Sequence, residues 1–229
     1  MKRGMIYGVG VGPGDPELLT LQAVRILRKA DVIAVPGEEA ASSLSYRIAC
    51  AAVPELSGKE TAAIPMPMTR EPGALEQAHR AGAARLAAYA DEGRSVAFLT
   101  LGDVTVYSTF GYLHRLLTAD GYEVTLVCGV PSFCAAAARL GVMLAEGDEP
   151  IHVCPGGDGA QDALALPGTC VLMKTGRRMA QLLPQLRRSG RAVGAVENCT
   201  LPDERIYRSA QELPEEAGYF TLVVAKEAK

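Results

Sequence analysis

Residues 8–20 read GVGVGPGDPELLT. The apolar run Met5-Ile6-Tyr7 stands before them, and a helical apolar pattern runs behind them to Ala30. The stretch is therefore a glycine-rich turn from a strand into a helix, the opening unit of an α/β fold. Glycines at such a turn let a ligand approach the main chain, because no Cβ stands in the way. The dinucleotide pattern GxGxxG fails in both registers: from Gly8 the sixth position is Pro13, and from Gly10 it is Asp15. No GK[ST] follows, so the P-loop pattern fails as well. Asp15-Pro16-Glu17 instead supplies an N-cap, a proline at the first helical position and an acid in the first turn. A carboxylate then sits where a phosphate would bind. On these residues alone, a ligand-free turn is as good a reading as a ligand site.

The chain has 229 residues, 48% hydrophobic, and a formal charge of −3. That length suits one large or two small α/β domains. Without a basic run, a nucleic-acid face is not expected. Apolar stretches are broken too often to span a membrane. Lys2 and Arg3 are followed by no apolar core of a signal peptide, so a cytoplasmic protein is expected. Cys50, Cys128, Cys134, Cys154, Cys170 and Cys199 form no CxxC pair and read as reduced, packed thiols. His79, His114 and His152 are isolated, and no metal site is expected.

Outward from the opening turn, strands and helices alternate. Strands are expected at Met5–Gly8, Val32–Val35, Thr61–Ile64, Ser95–Leu99 and Glu123–Cys128. Helices are expected at Pro16–Ala30, Ser42–Ala52, Gly73–Glu92 and Thr105–Thr118, with a loop at Pro65-Met66-Pro67-Met68. Continuous apolar strands separated by helices argue a parallel, doubly wound sheet. After the alanine-rich helix Val130–Leu140 the pattern changes. Five strands are expected at Ile151–Cys154, Thr169–Lys174, Ala192–Glu197, Arg205–Ala210 and Phe220–Ala225, with one clear helix at Arg178–Ser189. Closely spaced strands favour antiparallel pairing. The expected domains are an N-terminal α/β domain, 1–129, with a mostly parallel sheet, and a C-terminal α/β domain, 130–229, with a mixed sheet.

Four further segments lie where strands end. They are TLGDVTVYST (100–109), CGVPSF (128–133), VLMKTG (171–176) and VENCT (196–200). The carboxyl edge of parallel strands is where open α/β sheets bind ligands. Asp103 suits a helix cap or a ligand hydroxyl, and Ser132 a cap or a ligand contact. Met173 suits the core or the face of an aromatic ring. Asn198 and Thr200 suit a turn. No GxSxG elbow, HExxH or cysteine–histidine pair is present. Chemistry that needs positioning more than covalent catalysis fits this inventory.

In order and over essentially the whole chain, GVGVGPGDPELLT, TLGDVTVYST, CGVPSF, VLMKTG, VENCT and the final YFTLVVAKE resemble the tetrapyrrole methylases. These are S-adenosylmethionine-dependent enzymes of cobalamin and sirohaem synthesis. TLGDVTVYST and ENCTLPDERIY are most similar to the branch that methylates carbon 20 of precorrin-2 or cobalt-factor II. The resemblance implies two α/β domains with the active-site trough between them, a homodimer, and S-adenosylhomocysteine as product. It implies cofactor contacts at Pro13, Leu101, Gly102, Asp103, Val106, Pro131, Ser132, Met173, Glu197, Asn198 and Cys199. Val104 replaces the proline of the family's common GDP motif, and Cys199 stands where many members have glycine. Asp103, Tyr107 and Glu197 are candidates for a catalytic base by position. Arg139, Lys174, Arg177, Arg178 and Arg205 lie near the loops and suit substrate carboxylates. A methylase acting at another carbon and a binding protein of the same fold are alternatives. So is a nicotinamide-dependent oxidoreductase with Glu38 on the ribose.

Overall fold

The computed structural model describes residues 2–67, 69, 71–157 and 159–227, so Met68 of the expected loop lies outside the described residues. The chain divides into two compact units, Met1–Pro131 and Ser132–Lys229. Among the described residues, no helix is long and apolar enough to cross a membrane.

Unit 1 holds strands β1 (Ile6–Gly10), β2 (Val32–Pro36), β3 (Glu60–Ile64), β4 (Val96–Thr100) and β5 (Val124–Val127). Its helices are α1 (Leu21–Lys29), α2 (Leu44–Ala52), α3 (Pro72–Asp91) and α4 (Phe110–Ala119). All strand pairs are parallel and the order is β3-β2-β4-β1-β5. The chain steps one way through β1, β2 and β3, then back through β4 and β5. Right-handed crossovers therefore send α1 and α2 to one face and α3 and α4 to the other. The strands obey this by alternation. Ile33, Val35, Ala97 and Leu99 pack with Ala23, Leu27, Ile48 and Ala49. Val32, Ala34, Val96 and Phe98 pack with Leu86, Phe110, Leu113 and Leu117 on the other side. Val104, in place of the motif proline, is buried in this second core.

Two helices begin five residues later than their apolar patterns suggest. Residues 16–18 form one short 3-10 turn, and α1 starts only after Thr20, whose hydroxyl accepts from the Ala23 nitrogen at 3.1 Å. The helix expected from Thr105 starts at Phe110. Between them Asp103 accepts from the Thr105 nitrogen at 2.8 Å, and Ser108 accepts from the Phe110 nitrogen at 3.1 Å. These side chains compete for the amides a helix would use.

Unit 2 begins with α5 (Ser132–Leu140) and continues through β6 (Ile151–Pro155), α6 (Ala160–Ala165), β7 (Thr169–Met173) and α7 (Met179–Arg188). It ends with β8 (Ala192–Glu197), β9 (Arg205–Tyr207) and β10 (Thr221–Lys226). The sheet is mixed, in the order β6-β7-β10-β8-β9. β6 and β7 run parallel, and β10 runs antiparallel to both β7 and β8. Leu182, Leu183 and Leu186 of α7 and Ala163 of α6 cover the face bearing Leu172, Ala195 and Val223. On α5, Leu140 seats against Gly194, where a Cβ would come within 2.8 Å of its Cδ2. The short helix α6 carries too little pattern to be seen in the sequence. All five expected strands are present, with β9 ending three residues early.

Candidate functional site

In unit 1, β1 and β4 are neighbours whose following helices leave to opposite faces. This is the switch point of the sheet, where a crevice opens at the carboxyl ends of the strands. The main chains there are packed without side chains between them. The Gly12 nitrogen donates to the Gly102 carbonyl at 3.2 Å, and the Gly102 nitrogen donates back at 2.7 Å. Both glycines hold positive φ, 76° and 71°. A Cβ on Gly10 would lie 2.6 Å from the Gly102 carbonyl oxygen and 2.7 Å from the Gly129 nitrogen. The loops after β1, β4 and β5 thus meet as bare backbone, which only glycine permits.

Asp103 is buried and closes this meeting point. One carboxylate oxygen accepts from the Thr105 nitrogen and hydroxyl, and the other accepts from the Gly129 nitrogen at 2.9 Å. Thr20 donates its hydroxyl to the Cys128 carbonyl at 3.1 Å, tying α1 to the end of β5. The hydroxyls of Thr100 and Ser108 lie 3.0 Å apart. Pro13 and Gly102 are buried, while Leu101 and Val106 are half-buried at the crevice. Pro131, at the end of this unit, is half-buried too, as is Ser132 at the start of α5 in unit 2. The Asp15 carboxylate accepts from the Glu17 nitrogen at 2.9 Å and caps only the short 3-10 turn; the N-terminus of α1 is capped by Thr20, so the carboxylate does not stand at the helix end as the sequence suggested.

In unit 2, the ends of β7 and β8 and the start of β10 share one sheet edge, with Thr221 opposite Glu197. Half-buried Met173 ends β7. Thr175 donates its nitrogen and its hydroxyl to the Thr221 carbonyl, the hydroxyl at 2.9 Å. Glu197 is buried. It accepts from the Gly218 nitrogen at 2.8 Å and from the Tyr207 hydroxyl at 3.3 Å. The Asn198 amide donates to Asp203 at 2.7 Å. Glu204 accepts from the Thr200 nitrogen at 2.7 Å and from Arg139 in a two-pronged pair, at 2.8 and 2.6 Å. Burial opposes ionisation of Glu204, but Arg139 and the Thr200 amide outweigh it and hold the carboxyl below its usual range. Arg139, one of the expected carboxylate binders, is thus engaged by Glu204.

Among the described residues, the four non-glycine residues in the left-handed region are Tyr107 at 49°, Lys174 at 58°, Asn198 at 52° and Thr200 at 63°. All four lie in the strand-end loops singled out from the sequence. Such conformations cost about 1–3 kcal/mol each for residues other than glycine and gather at functional sites. Cys199, between two of them, keeps negative φ, so the exchange for glycine brings no backbone strain. Its thiol is buried, and burial with the nearby Glu204 carboxylate pushes it up to about 12. The expectation of packed thiols fails at Cys128 and Cys134, which are exposed.

Both carboxylates expected near the chemistry, Asp103 and Glu197, are committed to main-chain amides. Sequence reasoning overlooked these amide partners, as well as Thr20 and Glu204. Thr20 was legible as a second N-cap after a proline turn. Glu204 was missed because its strongest partner, Arg139, comes from α5, 65 residues earlier, although the Thr200 amide is only four residues away. Two cavities in the described residues lie elsewhere. One of about 430 Å³ is lined by Leu140, Arg187, Val193 and Arg208, and one of about 510 Å³ by Met66, His79, Tyr112 and Arg115. Of the strand-end segments only Thr109 lines one of them, and the site is assigned from the topology and loop geometry.

A switch point lined by bare glycine backbone, with neither a dinucleotide nor a P-loop pattern in its first loop, defines an α/β protein whose ligand lies against the main chain. The chain belongs to the tetrapyrrole (corrin/porphyrin) methylases, whose family model matches residues 5–214. It is 35% identical over 202 residues to a probable cobalt-precorrin-2 C(20)-methyltransferase of Methanocaldococcus jannaschii, covering 88% of this chain and 85% of that one. It is 32% identical to a precorrin-2 C(20)-methyltransferase of a Sinorhizobium species, covering 96% and 94%. Its structure is similar to that of uroporphyrin-III C-methyl transferase from Thermus thermophilus complexed with S-adenyl homocysteine. There the TM-score is 0.73 at 25% identity, with 98% of each chain covered.

Proposed function

We propose that the chain transfers a methyl group from S-adenosylmethionine to carbon 20 of precorrin-2 or cobalt-factor II, in cobalamin biosynthesis. The observation that carries the reading is the bare-backbone meeting of the β1, β4 and β5 loops at the switch point of unit 1. It is supported by extended similarity to proteins named for that reaction. The residues present suit the cofactor. The loop after β1 matches neither the dinucleotide nor the P-loop pattern, which favours a phosphate-free ligand. Leu101 and Val106 offer apolar surface, and Gly102 offers main-chain groups. In unit 1, Pro13, Leu101, Gly102, Asp103, Val106 and Pro131 form the proposed cofactor set. In unit 2, Ser132, Met173, Glu197, Asn198 and Cys199 are its proposed counterparts through the resemblance.

The cofactor, when bound, supplies a methyl group already activated on a sulfonium centre. The chain's part is alignment: a rigid edge holds donor and acceptor at about 3–3.5 Å, which removes much of the entropic barrier. Asp103 and Glu197 act by stiffening loops through amide hydrogen bonds. Basic side chains near the loops bind the macrocycle's carboxylates. A homodimer in the cytoplasm is the proposed state, and light scattering at twice the chain mass is its check.

Incubation with S-adenosylmethionine and each tetrapyrrole tests the reading directly. The expected product carries one added methyl, placed on carbon 20 by NMR with a 13C-labelled donor. Methylation at another carbon, or no mass gain, overturns it. S-adenosylmethionine is expected to raise the melting temperature and NAD to leave it unchanged.

A further inference from the structure

Gly218, Tyr219, Phe220 and Thr221 form a hydrogen-bonded turn, in which the Thr221 nitrogen donates to the Gly218 carbonyl at 3.1 Å and the Thr221 hydroxyl donates to it at 2.8 Å. The two central positions of such a turn ordinarily hold Gly, Pro, Asn, Asp or Ser. Here they hold a tyrosine and a phenylalanine, 38% and 44% exposed. Their rings meet edge to face, with centroids 5.1 Å apart at 74°. The Arg177 guanidinium lies 5.8 Å from the Tyr219 ring centroid. These rings serve neither the turn nor the core.

The turn is held firmly from both sides. Glu197 accepts from the Gly218 nitrogen at 2.8 Å, and Thr175 donates to the Thr221 carbonyl. Gly176, next to Arg177, is pressed so closely on the Gly218 main chain that a Cβ would lie 2.8 Å from the Ala217 carbonyl oxygen. The same edge carries Met173 and the Glu197–Thr200 turn. A rigid aromatic surface rimmed by a guanidinium matches a flat, apolar-faced polyanion: the rings take the face, and the guanidinium takes a carboxylate in two-pronged fashion.

We propose that Tyr219 and Phe220 form the stacking platform for the tetrapyrrole, with Arg177 binding one of its peripheral carboxylates. This rests on the function proposed above and names substrate-positioning residues for it. The platform acts on macrocycle binding and leaves the methyl donor's affinity untouched.

The test uses the full-length protein and uroporphyrin III, a stable, coloured, flat polycarboxylate, followed by its Soret band, with S-adenosylhomocysteine affinity measured in parallel by calorimetry. The double variant Tyr219→Ser, Phe220→Ser is expected to bind the macrocycle at least tenfold more weakly and to raise KM for the tetrapyrrole, with unchanged S-adenosylhomocysteine affinity and melting temperature. Arg177→Ala is expected to weaken macrocycle binding and to reduce its salt dependence. Arg177→Lys is expected to restore part of each. Wild-type-like macrocycle affinity in all three variants overturns the platform while leaving the proposed function standing. Loss of dimerisation with unchanged macrocycle affinity overturns it in favour of a subunit contact. A wild-type protein that binds neither probe overturns the functional reading and the platform together.

Discussion

The carboxylate of Asp103, at the end of β4, accepts a hydrogen bond at 2.9 Å from the main-chain nitrogen of Gly129, beyond the end of β5. β1 lies between those two strands, so the bond clamps three strand ends through one buried group. Asp103→Ala leaves the Gly129 amide without its acceptor, and a loss of about 1–3 kcal/mol is expected in urea unfolding. S-adenosylmethionine affinity is expected to fall at least tenfold by calorimetry, while Asp103→Asn, which keeps an acceptor oxygen, retains more of both. Unchanged affinity in Asp103→Ala would remove this residue from the cofactor site.

Tyr107 holds a left-handed conformation at φ 49° in the loop before α4. Asparagine tolerates that region better than tyrosine does. Tyr107→Asn is therefore expected to unfold at equal or higher denaturant, by up to about 1 kcal/mol. Turnover is expected to drop, because strained backbone gathers at functional sites. Full activity in a stabilised variant would show that the aromatic ring has no part in it.

The Glu204 carboxyl is depressed in the folded state by Arg139 and the Thr200 amide, which outweigh its burial. A depressed carboxyl contributes stability above its unfolded value and loses it as pH falls through the folded value. Glu204→Gln is expected to flatten the loss of stability below the ordinary glutamate range, measured as unfolding midpoint against pH. At neutral pH its cost is expected to be about 1 kcal/mol, because Arg139 is half exposed. An acid limb as steep as the wild type's would contradict the pairing.

Cys199 and Cys170 are buried, with thiols pushed up to about 12 and about 11. Cys128 and Cys134 are exposed. Iodoacetamide at pH 8 is expected to label Cys128 readily, Cys134 more slowly because partial burial pushes its thiol up, and Cys170 and Cys199 only after unfolding, as read by peptide mass spectrometry. A raised thiol stabilises the fold below its unfolded value and ceases to do so as pH rises through the folded one. Stability is thus expected to fall between pH 9 and about 12, less steeply in Cys199→Ala.

Most elements were legible from the pattern, because burial on both faces of a parallel strand demands a continuous apolar run, such as Val32–Val35 or Ser95–Leu99. Errors fell where short polar side chains compete with helix amides. Thr20 delays α1 and Ser108 delays α4, although the apolar positions before both read as helical. The site loops were legible as glycine-bearing strand ends. The commitment of Asp103 and Glu197 to distant amides was not, since Gly129 and Gly218 lie 26 and 21 residues further on.

The amino-acid sequence by itself determined the alternation of strands and helices, the glycines at the strand ends and the Asp15 cap on its own turn. Each follows from preferences that act within a few residues: side-chain periodicity, the absence of a Cβ, and a cap's reach to its own turn. The tertiary structure alone decided that β1 lies between β4 and β5, that three glycine backbones meet there, and that Tyr219 and Phe220 face outward beside Arg177. Those outcomes depend on which distant groups pack together, and packing balances burial and hydrogen bonding over the whole unit.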